Sequence, residues 1–322
     1  MGKGIRTAPR DALLADSAAK NERGFVFGLH RAADTLGAVV GLGIAMVVVW
    51  QMSGVGTTLD RETFTSVVWL SLIPAFLAVA ILAWVARDVP RKEASSAPAR
   101  SDSDVGAGLA PARSDEKPKP APARFAFRAL GRPFLIFLGI SALFDLGNSA
   151  DAFLILRASE RGAGTVEILG MLLVFNLVYA LVSAPAGRWS DRVGRQKVLV
   201  IGWGLYAVIY LGFAWAPCAT SVAGLFALYG VYYGLTHGTA KALITDQVPA
   251  ELRGTAFGTY HATLGILDLP ASVIAGLLWQ GFGTWQGFGP AAPFAFGATM
   301  AFLATVLLIA FGSRMKGPES SG

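Results

Sequence analysis

Residues 187–197 read Gly187-Arg188-Trp189-Ser190-Asp191-Arg192-Val193-Gly194-Arg195-Gln196-Lys197. Four cations and one carboxylate crowd into this stretch, and apolar sequence flanks it on both sides. Residues 168–186 are almost wholly apolar, interrupted mainly by Asn176, and residues 198–216 carry no charge. Each run is close to the roughly 20 residues a helix needs to cross a bilayer core. Gly187 and Gly194 supply the backbone freedom of a tight turn. The stretch is expected to be a short polar loop joining two membrane helices.

Composition agrees. Of the 322 residues, 54% are hydrophobic and 15% are charged, well below the roughly 25% charge of soluble domains. A single cysteine, Cys218, excludes a disulfide framework or a cysteine-based metal site. The first 24 residues are polar and hold no compact apolar segment of the kind that marks a secretory leader.

Apolar windows give eight spans, near 27–50, 64–86, 133–155, 165–186, 197–217, 220–244, 256–279 and 291–313. Between the second and third lies a segment rich in Ala, Pro, Ser and charge, residues 87–132, expected to be a disordered linker because it cannot bury enough apolar surface to fold. Residues 1–31, this linker, the 187–197 and 241–253 loops and the tail at 314–322 hold 24 of the 27 Lys and Arg residues. Only Arg61, Arg157 and Arg161 fall on the other side. The asymmetry places both termini in the cytoplasm. The net charge of +6 is therefore topological, and nucleic acid is dropped as a partner.

A shift of 230 residues superposes Gly4, Ala12, Leu13, Asp16, Arg23, Gly24, Phe27 and Gly28 on Gly234, Ala242, Leu243, Asp246, Arg253, Gly254, Phe257 and Gly258, all identical. The chain thus contains two copies of one unit. Together with this repeat, the GxxxDRxGRxK pattern of residues 187–197 resembles the loop after the second helix of each six-helix half in the major facilitator superfamily. The resemblance implies an all-α membrane bundle with parallel halves. On it, residues 1–86 correspond to the last two helices of the first half and residues 133–313 to a complete second half. If the halves are equal, about a hundred residues carrying four helices would precede Met1, so the chain is expected to be an N-terminally truncated member. The resemblance further implies a multi-pass protein of the bacterial cytoplasmic membrane. Gly187, Asp191, Arg192, Gly194 and Arg195 would then form a latch that holds the cytoplasmic side closed.

Other candidates lie inside the spans, where charge is expensive and usually faces a cavity or a partner. Asp145, Asn148 and Asp151 recur at steps of three, which on one continuous helix lie within about 120° of each other. Asp34, Asn176 and Asp268 could join them around a central pathway. A carboxylate at membrane depth suits proton coupling, because burial favours its neutral form. Gly28, Gly37 and Gly41 partly match the fifth-helix glycine pattern of proton-coupled exporters in the superfamily, although Leu42 and Ala45-Met46 depart from it. Small residues there would let helices approach closely.

His30, His237 and His261 have no metal-ligand spacing, and no metal or cofactor is expected. Arg23 and Arg253, with Asp16 and Asp246, are expected to form symmetric salt bridges. Tyr206 and Tyr210 share one helix face and suit packing better than a cavity wall. No phosphate loop, serine elbow or zinc helix is present, so no enzyme activity is expected. The residues point to secondary transport of a small organic molecule, with membrane lipid and protons as partners and efflux as the direction. A non-transporting relic, sensor or scaffold of the same fold is the alternative.

Overall fold

The computed structural model describes residues 2–53, 61–85 and 129–312. Most of the expected linker, and the tail, lie outside the described residues. Ten α-helices cover the described chain: α1 (Gly2–Ser17), α2 (Arg23–Ser53), α3 (Arg61–Val85), α4 (Gly131–Leu146), α5 (Ala152–Glu160), α6 (Thr165–Val193), α7 (Arg195–Trp215), α8 (Ala219–Gln247), α9 (Arg253–Gln280) and α10 (Ala292–Ala310). A short 3-10 turn, Ala250–Leu252, leads into α9. Named strands are absent among the described residues.

Six of the helices are long and apolar enough to cross a membrane. The eight expected spans differ from these in two places. The span at 133–155 is two helices, α4 and α5, interrupted at 147–151. The span at 220–244 is one helix of 29 residues, but its glycines, threonines and Lys241 dilute its hydropathy.

The core explains the rest. Phe134, Phe137, Trp203, Tyr206, Tyr210, Phe213, Tyr229 and Phe294 are almost fully buried where α4, α7, α8 and α10 meet. Phe144 stacks on Trp203 with ring centroids 4.7 Å apart, and Tyr206 stacks on Tyr210 at 4.0 Å. The outward faces carry large apolar residues instead: Leu181, Val208, Ile266, Leu269 and Phe302 are all exposed. That distribution suits lipid, which solvates apolar side chains while backbone groups bond within the helices.

The charged stretch is not a loop. α6 continues to Val193 and α7 begins at Arg195, so Gly194 alone makes the turn, with φ at 102°. Gly187 serves close approach instead: a Cβ there would run into the carbonyl of Gly24 on α2. Gly28 likewise faces the backbone of Ser183 on α6. At Gly37 and Gly41 a Cβ would meet no described atom within 4 Å. The close helix approach expected from all three glycines is therefore seen only at Gly28.

Candidate functional site

Asp191 accepts hydrogen bonds from the backbone amides of Gly24 and Phe25, both at 2.9 Å. These are among the first amides of α2, which lack partners inside their own helix and favour an anion. Arg195, one turn later, reaches Asp191 at 3.2 Å and Asp246 of α8 at 2.8 Å, and donates to the Lys20 carbonyl at 2.8 Å. Of the five residues expected in the latch, Asp191 and Arg195 make these bonds, while Gly187 and Gly194 shape the backbone. Arg192 stands exposed outside the network.

Around this latch the repeat produces exchanged partners. Arg23 donates to Asp246 at 2.9 Å, and its image Arg253 donates to Asp16, the image of Asp246, at 2.6 Å. Phe27 and its image Phe257 lie 6.1 Å apart. Each bond joins one copy of the unit to the other, so the pseudo-twofold axis passes between them. Asp11 and Lys241 are also images of each other under the 230-residue shift, and they pair directly at 2.7 Å. His261 adds a contact of 3.0 Å to the same Asp11 oxygen. Asp11 is fully buried. Burial works against its charge, but the hydrogen bond to His261 and the Lys241 ammonium outweigh it and hold the carboxyl down to about 2.

Asp11 and Lys241 escape sequence reasoning because they break the identity of the repeat. Their signal is an opposite-charge pair at equivalent positions, which places both on the axis.

The membrane-depth candidates gather around the helix break. Gly147, Asn148 and Ser149 favour local turns over continued helix, and the amide of Asn148 closes one by donating to the Asp145 carbonyl at 2.9 Å. Asp145, Asn148 and Asp151 therefore do not share one helix face: the first ends α4, the second lies in the break and the third precedes α5. Tyr206 donates to Asn148 at 3.2 Å, and Tyr229 donates to Asp151 at 3.0 Å. Tyr233 donates to the same Asp151 oxygen at 3.4 Å.

Asp145 is buried, and its Oδ2 has no hydrogen-bond partner among the described residues. Asp268 of α9 is exposed. Asn176 and Asp34 stay apart from this group. Asn176 donates to the Leu172 carbonyl one turn back, and Asp34 pairs with Arg31 at 3.1 Å. No group of three or more His, Cys, Asp or Glu side chains among the described residues could hold a metal ion.

Comparison with known proteins decides the family. The family model of the Major Facilitator Superfamily matches residues 1–266 and 154–321. The chain belongs to the major facilitator superfamily. It is 33% identical over 290 residues to an uncharacterized MFS-type transporter of Methanocaldococcus jannaschii, covering 87% of this chain and 63% of that protein. It therefore spans less than two thirds of this relative's length.

Over shorter stretches it is similar to a resistance protein and to an efflux pump. A class E tetracycline resistance protein of Escherichia coli is 32% identical over 127 residues, 39% of this chain and 31% of that protein. A multidrug efflux pump of Mycolicibacterium smegmatis is 31% identical over 143 residues, 44% of this chain and 28% of that protein. A superfamily member with several membrane-length helices is a multi-pass membrane protein.

Proposed function

We propose that the chain forms part of a secondary transporter that exports a small organic molecule against inward movement of protons. The observation that carries this reading is Asp145, a buried carboxylate with an unbonded oxygen at an interrupted helix. Burial favours the neutral form of a carboxylate, and transporters of this kind build solute sites at interrupted helices. The latch supports the same cycle. The two copies of the repeat are held together on the face assigned to the cytoplasm, so protonation and solute exchange would take place from the opposite side. Opening inward requires Asp191 to leave the Gly24 and Phe25 amides and the exchanged salt bridges to separate. The name of one relative, a multidrug efflux pump, favours efflux as the direction.

The test is reconstitution of the chain in vesicles with a pH gradient, beside a form extended to the length of its longer relatives. Tetracycline serves as the first probe. Gradient-driven movement that is lost in Asp145→Asn, with the protein still folded, supports the proposal. Movement indifferent to the gradient excludes proton coupling. If neither form moves any solute of a broad panel, the sensor or scaffold reading replaces transport.

A further inference from the structure

The cytoplasmic end of α6 carries two arginines that the latch does not use. Arg188 and Arg192 are four residues apart and therefore lie on one face of the helix. Both are exposed, and neither makes a hydrogen bond or ion pair with any described residue. Asp191, between them, points the other way into the amides of α2.

Together with Phe25 of α2 and Ala184, Pro185 and Trp189 of α6, the two arginines line a cavity of about 540 Å³. The Arg188 guanidinium lies over the Phe25 ring, 4.0 Å from its centroid. A cation stacked in this way engages its flat face and leaves its in-plane N–H donors free for an anion. Below the cavity the same helix face continues through Leu181 and Leu177, both exposed. Trp189, exposed at the level of the arginines, suits the headgroup region of a bilayer.

We propose that this cavity binds the headgroup of an anionic phospholipid of the cytoplasmic leaflet. The phosphate would sit between Arg188 and Arg192, with an acyl chain along Leu181 and Leu177. Paired guanidinium groups match phosphate oxygens, and basic pockets between membrane helices take acidic headgroups. The apolar continuation selects a lipid over a free anion. One wall of the cavity is Phe25 on α2 and the rest is α6, so the site is whole only while the Asp191 latch is closed. The lipid therefore binds the closed arrangement better and shifts the equilibrium towards it.

The experiment uses the full chain in phosphatidylcholine nanodiscs with and without phosphatidylglycerol, reading lipid retention by native mass spectrometry and the unfolding midpoint. The expected result is a higher midpoint with phosphatidylglycerol. Combining Arg188→Ala with Arg192→Ala should remove that rise and weaken retention roughly thirtyfold, given the worth of each cation near an acidic surface. Lys197→Ala, which removes another exposed cation from the same end of the protein, should leave both unchanged. Replacing both arginines by lysine should lose part of the retention, and it keeps the test valid if the alanine pair fails to fold.

Three results would overturn the proposal. They are an equal loss in Lys197→Ala, retention in the lysine pair equal to that of the native chain, and a midpoint rise reproduced by inorganic phosphate alone.

Discussion

Arg157 shows how much one side chain can carry in this fold. It is one of three cations that the charge count leaves outside the cytoplasm, yet it is almost fully buried. Its guanidinium donates to the carbonyls of Phe213 at 2.9 Å and Ala214 at 2.7 Å, and pairs with Glu160. Those carbonyls belong to the last turn of α7, where no helical amide remains to satisfy them. Arg157→Ala should therefore lower stability by about 3 kcal/mol, the cost of leaving such groups buried and unbonded. Arg157→Lys should recover only part, because an ammonium cannot span both carbonyls and the carboxylate with a planar fork. Unfolding midpoints in detergent would show both effects. Asp11 makes a prediction about pH. Its folded carboxyl is held at about 2 against an ordinary 3.8, so its ionised form contributes about 2 kcal/mol that is fully present above about pH 4 and lost as pH falls towards 2. Asp11→Asn should lower stability at neutral pH and flatten that acid limb in a pH series of unfolding midpoints.

At the scale of elements, the contact of α2 with α6 depends on Gly24, Gly28 and Gly187. A Cβ on Gly187 would strike the Gly24 carbonyl, and one on Gly24 would crowd Ser190 and Asp191. Gly187→Ala should push the helices apart and cost about 1–3 kcal/mol through overpacking. It should also lengthen the bonds from the Gly24 and Phe25 amides to Asp191. Faster hydrogen exchange at those two amides, with exchange at the centre of α6 unchanged, is the expected readout. Unchanged exchange would mean that the latch does not depend on this contact. The charged stretch was legible because charge between apolar runs is rare. The extent of α6 was not legible: charged residues at the membrane surface read as loop, although nothing in Arg188 to Val193 opposes helix. The break at 147–151 was obscured for a related reason. Asp145, Asn148 and Asp151 keep a helical spacing in sequence, and the turn preference of Gly147, Asn148 and Ser149 is joined there by hydrogen bonds from Tyr206, Tyr229 and Tyr233 on distant helices. Tyr206 and Tyr210 proved to be core, as their shared face suggested.

For the whole molecule, the repeat ties the chain together because the arginine of each copy bonds to the aspartate of the other rather than to its own. Arg23 with Asp246 and Arg253 with Asp16 tie the two copies on the same face, so in the proposed cycle both would have to open together. The pairs are alike in sequence but not in surroundings. Asp246 also receives Arg195 at 2.8 Å, whereas Asp16 has no second cation among the described ion pairs and is about half exposed. Charge exchange should expose this difference. Arg253→Asp alone should weaken closure through repulsion with Asp16, and adding Asp16→Arg should restore it, with a coupling of about 1–3 kcal/mol. The corresponding exchange of Arg23 and Asp246 should restore much less, because the new arginine at 246 would repel Arg195, which also loses its Asp246 partner. Unfolding midpoints of the four single and two double variants measure both couplings. Equal rescue of the two pairs would show that Arg195 is not shared between Asp191 and Asp246 in the closed state. Unequal rescue would place the heavier side of the closing network where the latch and the exchanged bridge meet, on Arg195.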